Sequence, residues 1–214
     1  MIDALVPVKR LVAAKSRLLP GPDRSAAGRL TLAMLDDVLA ALSGARRIGR
    51  IAVVTPDAEV SAHAERAGAI ALLRPDPGLN PSLEAGAERL ASGSQDGLLV
   101  ILGDVAGATA GDLDAACEAL AELPAPGAVL CPARDGGTAA LLRAPFDALP
   151  CRFGPESAAR HREAAAAAGI AFRELPLPSL AIDLDEADDV AAFLQTDAGG
   201  SRTRAVLREI GWGS

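Results

Sequence analysis

The stretch that decides the fold is Leu98-Leu99-Val100-Ile101-Leu102-Gly103-Asp104 (residues 98–104). Five successive apolar residues with no polar alternation read as a strand buried on both faces, and such strands belong to parallel sheets covered by helices. The Gly-Asp that ends the run sets a carboxylate at the carboxyl edge of that sheet. Outward from it the same grammar repeats. Upstream lie strands at Ala4 to Val8, Ile51 to Thr55 and Ile70 to Leu73, separated by helices at Ser25 to Leu42, Ala58 to Ala67 and Pro81 to Leu90. The first helix carries Leu30, Met34, Leu35, Val38 and Leu42 on one stripe. Downstream comes a helix at Asp112 to Leu123. Strands alternating with helices of this length predict an α/β fold, one mostly parallel sheet with helices on both faces.

After Pro126 the pattern changes. Ala128 to Ala133 and Thr138 to Arg143 are strand-like runs joined by Asp135-Gly136-Gly137, the mark of a hairpin, so an antiparallel excursion is expected there. A helix from Glu156 to Ala168, an edge strand near Ala171 to Leu175, a short strand at Ala181 to Leu184 and two closing helices complete the reading. The 214 residues suit a single domain spanning 1–214.

Composition removes several classes of function. Half the residues are apolar, but no run approaches the roughly 18 needed to span a membrane. The opening MIDALVPVKR lacks a basic segment ahead of an apolar stretch, so a cytoplasmic protein is expected. Cys117, Cys131 and Cys151 are odd in number and widely spaced, which favours small buried side chains over a disulfide framework or a zinc site. A net charge of −7, no Tyr, one Trp and four Phe argue against nucleic-acid partners.

In open α/β sheets ligands bind beyond the carboxyl ends of the strands, so the segments after Val8, Leu102 and Leu184 should converge on one cleft. Only two of the 21 basic residues are lysine, Lys9 and Lys15, and both fall in the first loop beside Arg10 and Arg17. Compact ammonium donors kept at two sites in an otherwise arginine-only chain point to anion handling, with a solvated basic loop as the plainer alternative. The glycines of a Walker loop are absent. Asp104 suits a metal ligand. Asp183 and Asp185 stand two apart, which in a strand sends both carboxylates to one side, where they would hold Mg2+; Asp185-Glu186-Ala187-Asp188 also reads as the start of a helix. Asp135-Gly136-Gly137-Thr138 reads as a tight turn that also lets a backbone approach an anion. Phe153-Gly154-Pro155-Glu156-Ser157 opens a helix whose free amides would form an anion site, although the charge of Glu156 opposes one unless it points away.

Three segments together, Val6-Pro7-Val8-Lys9, Ala13-Ala14-Lys15-Ser16-Arg17-Leu18 and Met34-Leu35-Asp36-Asp37-Val38-Leu39, resemble the guanylyltransferases of coenzyme F420 biosynthesis (the CofC/FbiD family), similar in fold to the MobA-like nucleotidyltransferases. The resemblance runs over nearly the whole chain. It implies that Lys9, Lys15 and Arg17 contact the phosphates of GTP and that Asp104, Asp183 and Asp185 bind the metal. It also implies that Asn80, in Gly78-Leu79-Asn80, lies near the guanine, with a turn asparagine as the alternative. Thr138, Gly154 and Ser157 match the family's DGGTNAL and FGPxSF segments, which line the site of a phosphorylated carboxylic acid. His161 matches a family histidine, but a lone histidine is more often structural and is given no mechanistic role. The chain departs from the pattern twice: Asp104-Val105-Ala106-Gly107-Ala108 stands where the family has DLPLL, and Ala139 replaces the Asn after GGT.

The expected reaction is attack by an acceptor phosphate on the α-phosphorus of GTP with loss of pyrophosphate, Lys15, Arg17 and Asp104 carrying the catalysis. The acceptor would be 2-phospho-L-lactate, phosphoenolpyruvate or 3-phosphoglycerate. Alternatives are another MobA-like transferase, acting on the molybdenum cofactor or a sugar phosphate, and a GTP-binding module without catalysis. The expected partners are GTP and the phosphorylated acid, neither nucleic acid nor membrane, with a homodimer left open.

Overall fold

A computed structural model describes residues 1–11, 24–91 and 97–212. Seven strands form one sheet: β1 (Ile2–Pro7), β2 (Ile48–Thr55), β3 (Ile70–Leu73), β4 (Leu98–Ile101), β5 (Gly127–Pro132), β6 (Thr138–Ala144) and β7 (Ala171–Glu174). The helices are α1 (Arg24–Gly44), α2 (Ala58–Arg66), α3 (Leu79–Ala91), α4 (Ala110–Ala121), α5 (Ser157–Ala168), α6 (Ala187–Leu194) and α7 (Ser201–Glu209). The strand order is β3-β2-β1-β4-β6-β5-β7. β1 pairs in parallel with β2 and β4, β2 with β3, and β5 with β7, whereas β6 runs antiparallel to both neighbours. The expected α/β sheet and its hairpin excursion are both present.

The two-residue period of the strands divides the core. On one face Ala4, Val6, Val53, Leu99, Ile101, Val129 and Leu142 pack with Leu35, Val38, Leu42, Val60 and Leu113 from α1, α2 and α4. On the other face Leu5, Ala52, Val54, Leu98, Val100, Leu130 and Leu141 meet Leu83, Ala87 and Leu90 of α3 and Ala158 and Ala165 of α5. The uninterrupted apolar run at β4 is thus explained: Leu98 to Ile101 are buried against one helical layer or the other, and Leu102 is half-buried at the strand's exit. Cys117, Cys131 and Cys151 are free and buried, and burial pushes each thiol up to about 12. Among the described residues no helix is long and apolar enough to cross a membrane.

A third cluster joins Leu30 and Met34 of α1 to Ala106, Leu184, Val190, Phe193 and Leu207. Its polar anchor is Asp37, whose carboxylate, buried beneath α7, accepts from the backbone N–H groups of Arg202 (3.2 Å) and Thr203 (2.8 Å) and from the Thr203 hydroxyl (2.7 Å). Gly200, the residue preceding α7, has no side chain for capping, so α1 supplies the cap from 166 residues away. Asp37→Ala is expected to lower stability by about 2 kcal/mol, since it leaves buried donors unsatisfied; a thermal melt against wild type measures it.

One expected element is absent. The segment predicted as a strand at Ala181 to Leu184 is instead irregular chain, preceded by a single 3-10 turn at Pro178–Leu180. Pro176 and Pro178 lack the N–H groups a ladder needs, and the backbone of 183–185 is held locally, the Asp185 N–H donating to the Asp183 carbonyl at 3.1 Å. The period-of-two argument for Asp183 and Asp185 therefore does not apply. The helix start that Asp185-Glu186-Ala187-Asp188 also suggested is present: α6 begins at Ala187 with Glu186 as its N-cap, and Asp189 accepts from the N–H groups of Asp185 (3.1 Å) and Glu186 (2.8 Å).

Candidate active site

β1, β4 and β5 all point their carboxyl ends to one edge, and the segments leaving them are stitched together there. The Val8 N–H continues the β1 ladder to the Val54 carbonyl at 3.0 Å, and Asp57, which caps α2 through Glu59, also accepts from the Leu11 N–H at 3.0 Å. The β2–α2 turn thus fixes the start of the first loop, in which Lys9 and Arg10 are exposed. Lys15 and Arg17 lie outside the described residues.

Next to it, the exit of β4 passes so close to β1 that a Cβ on Gly103 would stand 3.0 Å from the Pro7 carbonyl and 3.0 Å from Val8. A side chain there would press on both, and this close approach sets Asp104 beside the root of the first loop. The Asp104 carbonyl accepts from the Leu184 N–H at 3.2 Å, drawing in the irregular 181–185 segment from one side. From the other, the β5–β6 turn joins through the Arg134 N–H and the Ala181 carbonyl at 2.9 Å. Asp135 accepts from the Gly137 N–H at 2.7 Å, the tight turn expected of DGGT.

Asp104 and Asp135 are as a result brought within electrostatic reach of Asp183. Burial, then Asp104, then Asp135 push the Asp183 carboxyl up to about 7, with Asp185 adding a smaller push. Asp185 itself is exposed. Asp135, read from sequence only as a turn residue, thus joins the acidic group; its position in the hairpin loop, at the same sheet edge as Gly103-Asp104, was the available signal. The donors are hard carboxylate oxygens whose mutual repulsion a divalent cation relieves, so Asp104 and Asp183 fit a Mg2+-type ion. Among the described residues no three His, Cys, Asp or Glu groups are close enough to enclose a metal by themselves.

The residues expected at the acceptor are buried as a unit. Thr138, Ser157 and His161 are each 2% exposed or less, with the Ser157 hydroxyl 3.0 Å from Thr138 Oγ1 and His161 Nδ1 3.0 Å from the same oxygen. The Arg152 N–H donates to His161 Nε2 at 2.9 Å, so the proton of the neutral ring sits on Nδ1 and is donated to Thr138. Burial pushes His161 down to about 4; the Ser157 carbonyl opposes this, and Arg143, Arg160 and Arg152 reinforce it. The histidine is a structural hub beneath the hydroxyls, edge-on to Phe153 at 5.2 Å. The expected anion site of free amides at α5 is corrected: the Ser157 N–H is taken by the Gly154 carbonyl at 3.1 Å and the Ala158 N–H by that of Gly136 at 3.2 Å. Gly154 (φ +120°) and Glu156 (φ +53°) make the sharp entry to this helix. Asn80 is bound to the backbone of Phe153. The atypical Val105 to Ala108 is buried, with Gly107 packed so tightly that a Cβ would stand 2.9 Å from the Ser179 carbonyl. Small residues in place of the family's bulkier ones match that close approach.

A separate hollow of about 350 Å³, lined by Asp36, His63, Arg66 and Arg202, lies between α1, α2 and α7. It adjoins the carboxyl-terminal halves of α1 and α2, toward the amino ends of the strands, and shares none of these residues.

Asp183 and His161 make opposite contributions to stability against pH. Asp183, raised from 3.8 to about 7, contributes fully below 3.8 and loses that contribution as pH rises toward 7. His161, lowered from 6.5 to about 4, contributes fully above 6.5 and loses it as pH falls toward 4. Between those limits each changes stability by about 1.4 kcal/mol per pH unit, in opposite directions. In metal-free buffer, His161→Gln should make the melting temperature rise as pH falls from 6.5 to 4.5. Asp183→Asn should make it fall over the same range, and wild type should lie between.

The family model described as "Guanylyl transferase CofC like" matches residues 2–213. The phosphoenolpyruvate guanylyltransferase of Sphaerobacter thermophilus is 43% identical over 188 residues, covering 87% of this chain and 89% of its own. The 3-phospho-D-glycerate guanylyltransferase of Phenylobacterium zucineum is 37% identical over 216 residues, covering 98% and 97%. In fold, a crystal structure from Desulfovibrio desulfuricans described as a nucleotide-diphospho-sugar transferase superposes with a TM-score of 0.78 at 19% identity, covering 97% of this chain and 94% of that one.

Proposed function

Since the chain belongs to the CofC-like guanylyl transferases and is a nucleotidyltransferase, we propose that it transfers GMP from GTP to a small phosphorylated carboxylic acid, in the cytoplasm, as a step of coenzyme F420 assembly. The carrying observation is the convergence of Asp104, Asp183 and Asp135 at the strand edge beside the root of the lysine-bearing loop.

In this reading Lys9, Lys15 and Arg17 draw the triphosphate of GTP to the end of β1. Asp104 and Asp183 hold Mg2+ from inside, with Asp185 at the exposed rim. The ion, when bound, neutralises charge on the phosphates and steadies the departing oxygen. A phosphate oxygen of the acceptor forms the new bond to the α-phosphorus, the bond to the β-phosphate breaks, and pyrophosphate leaves with the electron pair. No general base is required, because a phosphate monoester is already ionised at neutral pH. What the protein contributes is the alignment of two anions and the cancelling of their repulsion. Thr138, Gly154 and Ser157 shape the acceptor side, with His161 holding the two hydroxyls in place.

The two named relatives act on three-carbon phosphorylated acids, which supports an acceptor of that size, phosphoenolpyruvate first. The test is pyrophosphate release from GTP and Mg2+ with phosphoenolpyruvate, 3-phosphoglycerate and 2-phospho-L-lactate in turn. Release with one acid and not with sugar phosphates is expected; silence with all three acids would overturn the assignment.

A further inference from the structure

The segment 149–154 is neither helix nor strand, so its backbone groups must find partners elsewhere. They find side chains. The Arg143 guanidinium donates to the Leu149 carbonyl, Glu84 Oε1 accepts from the Cys151 N–H at 2.6 Å, and His161 Nε2 accepts from the Arg152 N–H at 2.9 Å. Asn80 Oδ1 accepts from the Phe153 N–H at 2.8 Å while its Nδ2 donates to the Phe153 carbonyl at 3.1 Å. That two-point pairing imitates a strand partner and fixes the orientation of the amide. Cys151 and Phe153 are buried, which leaves little water to replace these bonds.

The spacing matches on both sides. Asn80 and Glu84 are one helical turn apart on α3, about 6 Å along the axis, and they hold residues 151 and 153, about 6.6 Å apart in extended chain. The helix face is a template for this loop. Phe153 leads directly into Gly154 and the start of α5, where Ser157 meets Thr138.

From this geometry we propose that Asn80 is a positioning residue of the acceptor side, a strut that sets the Phe153-Gly154 backbone, and not a reader of the guanine edge. The inference rests on the acceptor site proposed above. Asn80 Oδ1 and Nδ2 each bond to the Phe153 backbone, so losing them reshapes the acceptor subsite through Phe153 and leaves the nucleotide's contacts alone.

The experiment is steady-state kinetics of Asn80→Ala, varying GTP and phosphorylated acid separately, with ITP and ATP as alternative donors. The acceptor KM should rise about tenfold or more while the GTP KM stays within about twofold and the preference for GTP is kept. Hydrogen exchange should show lost protection at the Phe153 amide. The opposite split, a weakened GTP KM and lost discrimination against ITP with the acceptor KM steady, would assign Asn80 to the base and overturn the proposal. If Asn80→Ala does not fold, Asn80→Ser, which stays polar and uncharged but is too short to span both the Phe153 N–H and its carbonyl, reads the same split. An inactive wild type counts against the reaction itself and is seen before any variant is made. A normal acceptor KM in an active variant counts against the strut alone.

Discussion

Asp104→Ala should lower pyrophosphate release by about a thousandfold or more, the scale on which transition-state charge stabilisation is lost, without lowering the melting temperature of the metal-free protein. Asp104 is the largest charged contributor to the raised Asp183 carboxyl, so removing it relieves a like-charge repulsion in the apo state. A residue kept for the fold would show the reverse, a falling melting temperature with activity following it. Asp104→Asn should behave similarly, because the amide keeps the shape but neither repels Asp183 nor offers an anionic ligand. Retention of more than about a tenth of wild-type turnover by either variant would remove Asp104 from the chemistry.

The largest effect on stability should come from Glu84. The Arg143 side chain is wholly buried, and its charge is met by Glu84 at 3.3 Å from Nη1 and 3.1 Å from Nη2, while its Nε finds no hydrogen-bond partner among the described residues. Burial opposes ionisation of Glu84, but Arg143 and the Cys151 N–H outweigh it and hold the carboxyl below its ordinary value. Glu84→Leu leaves a buried guanidinium unmatched and the Cys151 N–H without an acceptor. Breaking such a pair from one side costs about 3–5 kcal/mol, and the partial exposure of Glu84 favours the lower figure. For a chain of this size that is a fall of roughly 6–12 °C in melting temperature. The double variant Glu84→Leu/Arg143→Met should recover a good part of the loss, since it removes both charges. If it melts no higher than Glu84→Leu alone, the charge imbalance is not the cause.

Much of the architecture was legible because it depends on local periodicity. The Leu30-Met34-Leu35-Val38-Leu42 stripe became the buried face of α1, and the unbroken apolar run at β4 became the strand covered on both sides. The hairpin glycines announced β5 and β6 as neighbours. They could not announce that β6 inserts between β4 and β5, because that order is set by how layers pack, not by any local signal. The strand forecast at Ala181 to Leu184 failed for a readable reason: alternation outweighed the two prolines just before it. At the site, Asp104 could be placed from its strand, but the acidity of its neighbourhood could not, because Asp135 and Asp183 come from loops 48 residues apart, brought together by long-range contacts such as the Arg134–Ala181 bond and the Arg134–Asp189 ion pair. The role of Asn80 was hidden likewise, its partner Phe153 being 73 residues away and engaged through backbone atoms that carry no residue identity.

The three buried cysteines have a use unconnected with chemistry at the strand edge. Cys117 and Cys131 belong to the apolar layer under α1 and α4, and Cys151 to the layer under α3 and α5. Protonated and enclosed, none is open to an alkylating reagent until its own layer parts. The chain therefore carries its own markers for each half of the sandwich, and the order in which the thiols become labelled under mild denaturant tells which face separates from the sheet first.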